Sequence, residues 1–296
     1  MESLLKNLFR FEHEDSLGVQ LFLRFFELFT VTYSIVYAWS WGLFILRISD
    51  VVLPLGMANY LPMELIFDYN LSLVNAVLIT LLGGIALFYR KYSWLYLIAF
   101  LLLHIQYVSR FSLGEIPHSS NLLGFSLLGL GLGFTFFKEK TRALSFAYGF
   151  LIFFLGLAYT SAGISKMIGT GITWVDGNHL WLWISEKSVD VLAGYGEFNY
   201  SFVQELALSS RFIATVILVI GLLTELTAFL VWWKKLRPYI ITLLIGMHIG
   251  IYYSMNIWFL SYMIELVIIG YPWYHLINKY GLQISERRKQ LLLKFV

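Results

Sequence analysis

The chain contains no cysteine, which excludes a disulfide framework, a thiol nucleophile and any thiolate metal site. Proline is scarce, with five in 296 residues, and no Pro-rich linker, low-complexity tract or internal repeat interrupts the chain, so one domain over 1–296 is the simplest organisation. Charge is scarce as well: Asp, Glu, Lys and Arg make up only 13% of the residues. A soluble domain with so little charge would expose large apolar patches and aggregate. The common enzyme motifs are missing too. There is no His-Glu-x-x-His, no Gly-x-Ser-x-Gly and no Gly-x-x-x-x-Gly-Lys-[Ser/Thr] loop. No two histidines are spaced to ligate one ion from one helix, so no metal site is expected.

Apolar residues fill the space that charge vacates. Hydrophobic residues reach 59% and the mean hydropathy is +0.73. Several windows near the ~20 residues that cross a bilayer hold few or no charges. Ten Trp and 19 Tyr include residues near the ends of these windows, as an interfacial aromatic belt requires. The pattern predicts an all-α, polytopic transmembrane helical bundle with spans at 20–47, 73–90, 92–110, 119–137, 143–166, 212–233, 238–254 and 256–273. The stretch 239–273 is too long for one span, and Ser254-Met255-Asn256 is its best turn. Residues 1–19 are amphipathic and lack a small-residue cleavage site, reading as an interfacial helix. Residues 20–273 form the transmembrane core with an external segment at 167–211, and 274–296 a polar, then basic, cytoplasmic tail.

Charge placement predicts orientation. With eight spans and both termini cytoplasmic, 15 of the 21 Lys and Arg fall inside, among them Arg90, Lys91, Lys138, Lys140, Arg142, Lys234, Lys235 and Arg237. Outer segments then carry Asp50, Glu64, Asp68, Glu115, Asp176, Glu186, Asp190, Glu197 and Glu205. The net charge of +3 is thus a topology signal and gives no reason to expect nucleic acid.

Ionisable groups at membrane depth cost a few kcal/mol each, roughly 2.5–3.5 by insertion scales, so they normally face the protein interior. Toward the outer side lie His104, His118, Asn121 and Lys166, followed by Trp174 and His179. Glu225, His248 and Glu265 lie deeper or further inward, with Arg24 and Glu27 near the inner end of the first span. Arg24 and Glu27 are three apart on one helical face and read as a structural ion pair. Glu225 and Glu265 read as structural polar residues, with proton handling near His248 an open alternative for Glu225. His104 alone on an apolar helix reads as a satisfied interior histidine. Lys166 ends the apolar run that begins at Leu151: it either snorkels to the surface or sits in a pocket, where desolvation favours a neutral amine able to act as a base.

The run Tyr159-x-x-Ala162-Gly163-x-x-Lys166, followed by Trp174-x-x-Gly177, resembles the signature of the HTTM (horizontally transferred transmembrane) family, which includes vitamin K-dependent gamma-glutamyl carboxylase. Arg24 opening the first span, Thr224-Glu225 before a basic loop, and His248 in an apolar run before an aromatic-rich final span agree with it. His118-Ser119, with Asn121 close by, resembles the carboxylase segment that supplies an active-site histidine. The likeness covers most of residues 18–273. It departs where the carboxylases carry two adjacent lysines and this chain has Ser165-Lys166, and 296 residues leave no room for their large lumenal domain. The short size resembles bacterial toxin-maturation proteins of the SdpB type.

This resemblance implies an integral protein of the bacterial cytoplasmic membrane with its site toward the outer face. Lys166 and His118 would be catalytic. Asn121, His104, Tyr159, Trp174, Gly177, His179 and His248 would bind substrate or quinone. A neutral Lys166 would take a proton from a reduced naphthoquinone (menaquinol or vitamin K hydroquinone), and oxygen would then drive modification of an exported peptide. Carbon dioxide would be consumed if the product is carboxylated. Partners would be membrane lipid, the exported peptide and a small protein encoded nearby. Two other readings stay open: a quinone-dependent oxidoreductase with no peptide substrate, and a non-enzymatic assembly, immunity or transport component.

Overall fold

The computed structural model describes residues 2–47, 59–60, 70–112 and 120–281, and among them there are helices and no strand. The helices are α1 (Glu2–Phe9), α2 (Leu17–Arg47), α3 (Leu71–Phe88), α4 (Leu95–Ser112), α5 (Ser120–Phe136), α6 (Lys140–Thr170), α7 (Gly177–Tyr195), α8 (Phe202–Ser209), α9 (Arg211–Leu226), α10 (Arg237–Met255), α11 (Leu260–Gly270) and α12 (Trp273–Gly281). Five segments are long and apolar enough to cross a membrane: Leu17–Leu43, Leu71–Phe88, Lys140–Val175, Arg211–Trp232 and Arg237–Met255. Leu95–Phe111, Leu122–Phe136 and Leu260–Gly270 are apolar but shorter. Each of the eight segments expected from hydropathy therefore contains an apolar helix. This composition is that of an integral membrane protein, because a helix satisfies its own backbone hydrogen bonds where no water can.

Three local signals set the ends of these helices. Asn256 adopts a left-handed conformation (φ 54°) and ends α10 at the expected turn. Pro238 occupies the first turn of α10, where its missing N–H costs nothing. His13, at φ 58°, stands in the turn after α1, so the expected 1–19 helix covers only residues 2–9 before α2 starts at Leu17.

The chain forms two compact units, residues 1–151 with 272–296, and residues 152–271. In the first unit α2 packs against α3, α4, α5 and α12. Its core holds Trp41, Tyr96, Phe22, Phe26 and Leu23. Phe11, Phe22, Tyr148 and Tyr274 meet as an aromatic cluster with centroids 5.3–6.1 Å apart. Arg24 pairs with Glu27 as expected, and the buried Glu27 also accepts a 3.0 Å hydrogen bond from Tyr96.

The second unit holds α6 from Ile152 onward with α7 to α11. The segment read as an external loop is largely helical here. Asp176 caps α7 by accepting from the Asn178 N–H at 2.9 Å, and Ser201 with Gln204 forms a reciprocal capping box on α8. Leu180 and Ile184 of α7 bury themselves against Ala207 of α8 and Ala214 and Leu218 of α9. After α9 the chain tightens into a 3-10 turn over Ala228–Trp232. Its irregular backbone is tied down by α6: the Phe229 N–H donates to Thr160 Oγ1 at 3.0 Å, and the Trp232 indole donates to the Phe153 carbonyl at 3.1 Å.

Candidate functional site

Residues 159, 163 and 166 follow the i, i+4, i+7 spacing, so Tyr159, Gly163 and Lys166 share one face of α6. That face looks onto α9. A Cβ on Gly163 would sit 3.0–3.2 Å from the side chains of Leu226 and Glu225. The missing side chain lets α9 approach closely, and Glu225 meets Lys166 one turn along. Lys166 Nζ donates to both carboxylate oxygens of Glu225, and the pair is partly shielded, with 30% and 10% of the two side chains exposed. The Lys166 amine is thus turned to a carboxylate on a neighbouring helix.

Trp174 completes that end of the site. Gly171, at φ +68°, opens the 3-10 turn Gly171–Val175, a conformation costly for any residue with a Cβ. The turn brings the Trp174 ring to 4.8 Å from Lys166 Nζ, within cation–π range. The Trp174 carbonyl in turn lies 3.2 Å from His179 Nδ1, and Trp183 packs on both Trp174 and His179 with centroids 5.6 and 6.1 Å away. Gly177 is a contact residue, packed against the Arg211 backbone with its N–H donating to Thr215 Oγ1 at 2.9 Å. Next to it Arg211 grips the Asp176 carboxylate, which is held below the usual carboxylate range by the guanidinium first and the Asn178 N–H second.

Tyr159, at the other end of the α6 face, is buried and lies 2.5 Å from Nε2 of His248 on α10. Tyr262 of α11 packs against Tyr159 with ring centroids 5.9 Å apart, and the buried Glu265 lies on the same helix as Tyr262. His248 is boxed by Phe259 and Tyr262 at 4.8 and 5.3 Å between ring centroids. Its Nδ1 is buried and has no hydrogen-bond partner among the described residues. A buried ring nitrogen without a partner costs about 1–3 kcal/mol, a cost that a hydrogen bond from a ligand would offset.

The structure thus gathers Lys166, Trp174, Glu225, Tyr159 and His248 into one unit. It ranks Glu225, read as structural, beside the lysine. Tyr262 and Phe259 were not anticipated, since nothing distinguishes one tyrosine among 19. His104 belongs to the first unit, where it stacks between Phe100 and Tyr107 with centroids 6.1 and 6.0 Å away, the surroundings of an interior histidine. Asn121 lies in the first turn of α5. His118 lies outside the described residues. Among the described residues no group of three His, Asp or Glu could hold a metal ion.

No known protein family, no curated protein and no solved structure matches this chain. What the site can do must be read from its own chemistry. It offers a lysine paired with a carboxylate, an aromatic wall, and a buried Tyr159–His248 pair whose second ring nitrogen has no partner among the described residues.

Proposed function

We propose that this chain is a membrane enzyme of the HTTM type that uses a reduced quinone and oxygen to modify or mature an exported peptide. The observation that carries the reading is the Lys166–Glu225 pair beneath Trp174, on the α6 face that also presents Tyr159 to His248. A lysine serves as a base only after losing its own proton, and Glu225 is in direct contact to receive it. The chemistry of the residues supports a quinol: Trp174, Phe259 and Tyr262 are aromatic, and His248 Nδ1 is a ring nitrogen with no partner among the described residues that would hydrogen-bond a ring oxygen. When bound, that group and oxygen would supply a base far stronger than any side chain. The protein would hold the ring, take the hydroxyl proton at Lys166 Nζ and exclude water. In the same reading the chain crosses the bacterial cytoplasmic membrane about eight times, with both termini inside and Lys166 toward the outer face. The peptide would then come from outside and the quinol from the lipid.

The test is oxidation of added menaquinol by purified protein, with and without candidate peptide. Lys166→Met keeps the apolar stem and should abolish turnover. Lys166→Arg should abolish it as well, because a guanidinium does not give up its proton. Near-normal turnover in the arginine variant refutes the role of the lysine as base.

A further inference from the structure

Beyond the lysine site, the second unit carries a cavity of about 400 Å³ lined by Tyr195, Glu197, Phe198, Tyr252, Tyr253 and Asn256. We propose that this cavity binds an organic ammonium ion. It forms where two nineteen-residue helices end together. α7 stops at Tyr195, closed by Gly196 at φ +78°, and α10 stops at Met255, closed by Asn256 at φ 54°. The end of a helix is the negative end of its dipole, worth about half an elementary charge. Among the described residues lining the cavity, Glu197 alone carries a charge, and it is negative.

The N-terminus of α8 also reaches the cavity but offers little to an anion. The Gln204 N–H goes to Ser201 Oγ and the Ser201 N–H to Gln204 Oε1. Their remaining donors are directed at α10 carbonyls, with Ser201 Oγ donating to Tyr253 and Gln204 Nε2 to Ser254. What stays available is the Glu197 carboxylate and the phenol rings, and Tyr252 and Tyr253 pack edge to face 5.1 Å apart. Aromatic faces attract cations through their quadrupole, most strongly soft ions that shed water easily. A hard metal ion needs six or more oxygen ligands, which one carboxylate does not approach. An alkylammonium group suits the wall, the charge and the volume together.

Such a group comes either as a soluble amine or as the headgroup of a choline phospholipid. Choline titrated calorimetrically into the full-length protein in phosphatidylglycerol nanodiscs should bind saturably, and more tightly by about tenfold than its neutral isostere 3,3-dimethylbutan-1-ol. Glu197→Gln and Tyr253→Leu, both at exposed positions, should each weaken choline about fivefold to tenfold while the protein stays monodisperse. Repeating the titration in phosphatidylcholine nanodiscs identifies the source: a site filled by the lipid headgroup loses its apparent affinity for choline, and one for a soluble amine keeps it. No saturable binding in phosphatidylglycerol, equal binding of the isostere, or wild-type affinity in both variants overturns the proposal. Menaquinol turnover is not read in any arm, so failure here leaves the lysine chemistry standing.

Discussion

Replacing the two members of the Lys166–Glu225 pair singly and together separates what the pair does for the fold from what it does for chemistry. Exposed ion pairs contribute ~0–1 kcal/mol, whereas removing one partner of a fully buried pair costs ~3–5 kcal/mol. With 30% and 10% of the side chains exposed, this pair lies between those limits. Lys166→Met and Glu225→Gln should therefore each cost about 2 kcal/mol, chiefly because each leaves the other member without its partner. For a protein of this size that is a fall in Tm of about 5 °C. The double variant leaves no orphan charge, so it should cost about 2 kcal/mol rather than about 4, a coupling near 2 kcal/mol. Turnover should not recover with stability. Lys166→Met and the double variant should both be inactive, and Glu225→Gln should lose about two orders of magnitude, the usual range for a proton-transfer group. Thermal unfolding in detergent, followed on the same samples by menaquinol oxidation, reads both quantities. Strictly additive Tm losses would refute the pairing, and full activity in Glu225→Gln would refute its part in proton transfer.

Three further outcomes follow from the geometry. Tyr159→Phe removes the 2.5 Å partner of His248 Nε2 and strands the second ring nitrogen, so it should cost about 1–3 kcal/mol by thermal unfolding, with much of the loss recovered in Tyr159→Phe/His248→Phe. Because the Asp176 carboxyl is depressed in the folded state, its pairing with Arg211 adds stability above the usual carboxylate range, and that contribution disappears as pH falls through the lowered value; Asp176→Asn should flatten this part of the acid limb in a Tm-versus-pH series. Reporters fused after Lys140 and Lys235 should read cytoplasmic and one near Gly196 external, and an external signal at Lys140 would move Lys166 to the wrong side for an exported substrate.

Helix positions were legible because hydropathy in a membrane chain is nearly a direct reading of helical segments: every expected span contains an apolar helix, and Asn256 ends α10 where Ser254-Met255-Asn256 marked a turn. The helices within 167–211 were less visible. Their signals are Asp176 before α7 and Ser201-x-x-Gln204 before α8, side-chain caps that hydropathy does not register. Arg24 with Glu27 could be paired because they share a helix face. Lys166 with Glu225 could not, since 59 residues separate them and their meeting depends on how closely α6 and α9 pack. Periodicity assigns a face to each helix and does not say which face it meets. For the same reason nothing in the sequence marks Tyr159 as the residue that reaches His248.

Gly163 gives the stretch Ala162-Gly163-x-x-Lys166 a double meaning for anyone searching genomes with it. The glycine encodes the distance of α9, and the lysine encodes the ion pair with Glu225, so one string records two independently selectable traits. Descendants that keep Gly163 and replace Lys166 would retain the same helix contact as inert scaffolds. Descendants that keep the lysine and enlarge position 163 would hold the amine away from its carboxylate. Sorting candidate homologues by which half of the string survives, together with an acid at the position of Glu225, would divide the chains able to form the pair from those that keep only the helix contact before any of them is purified.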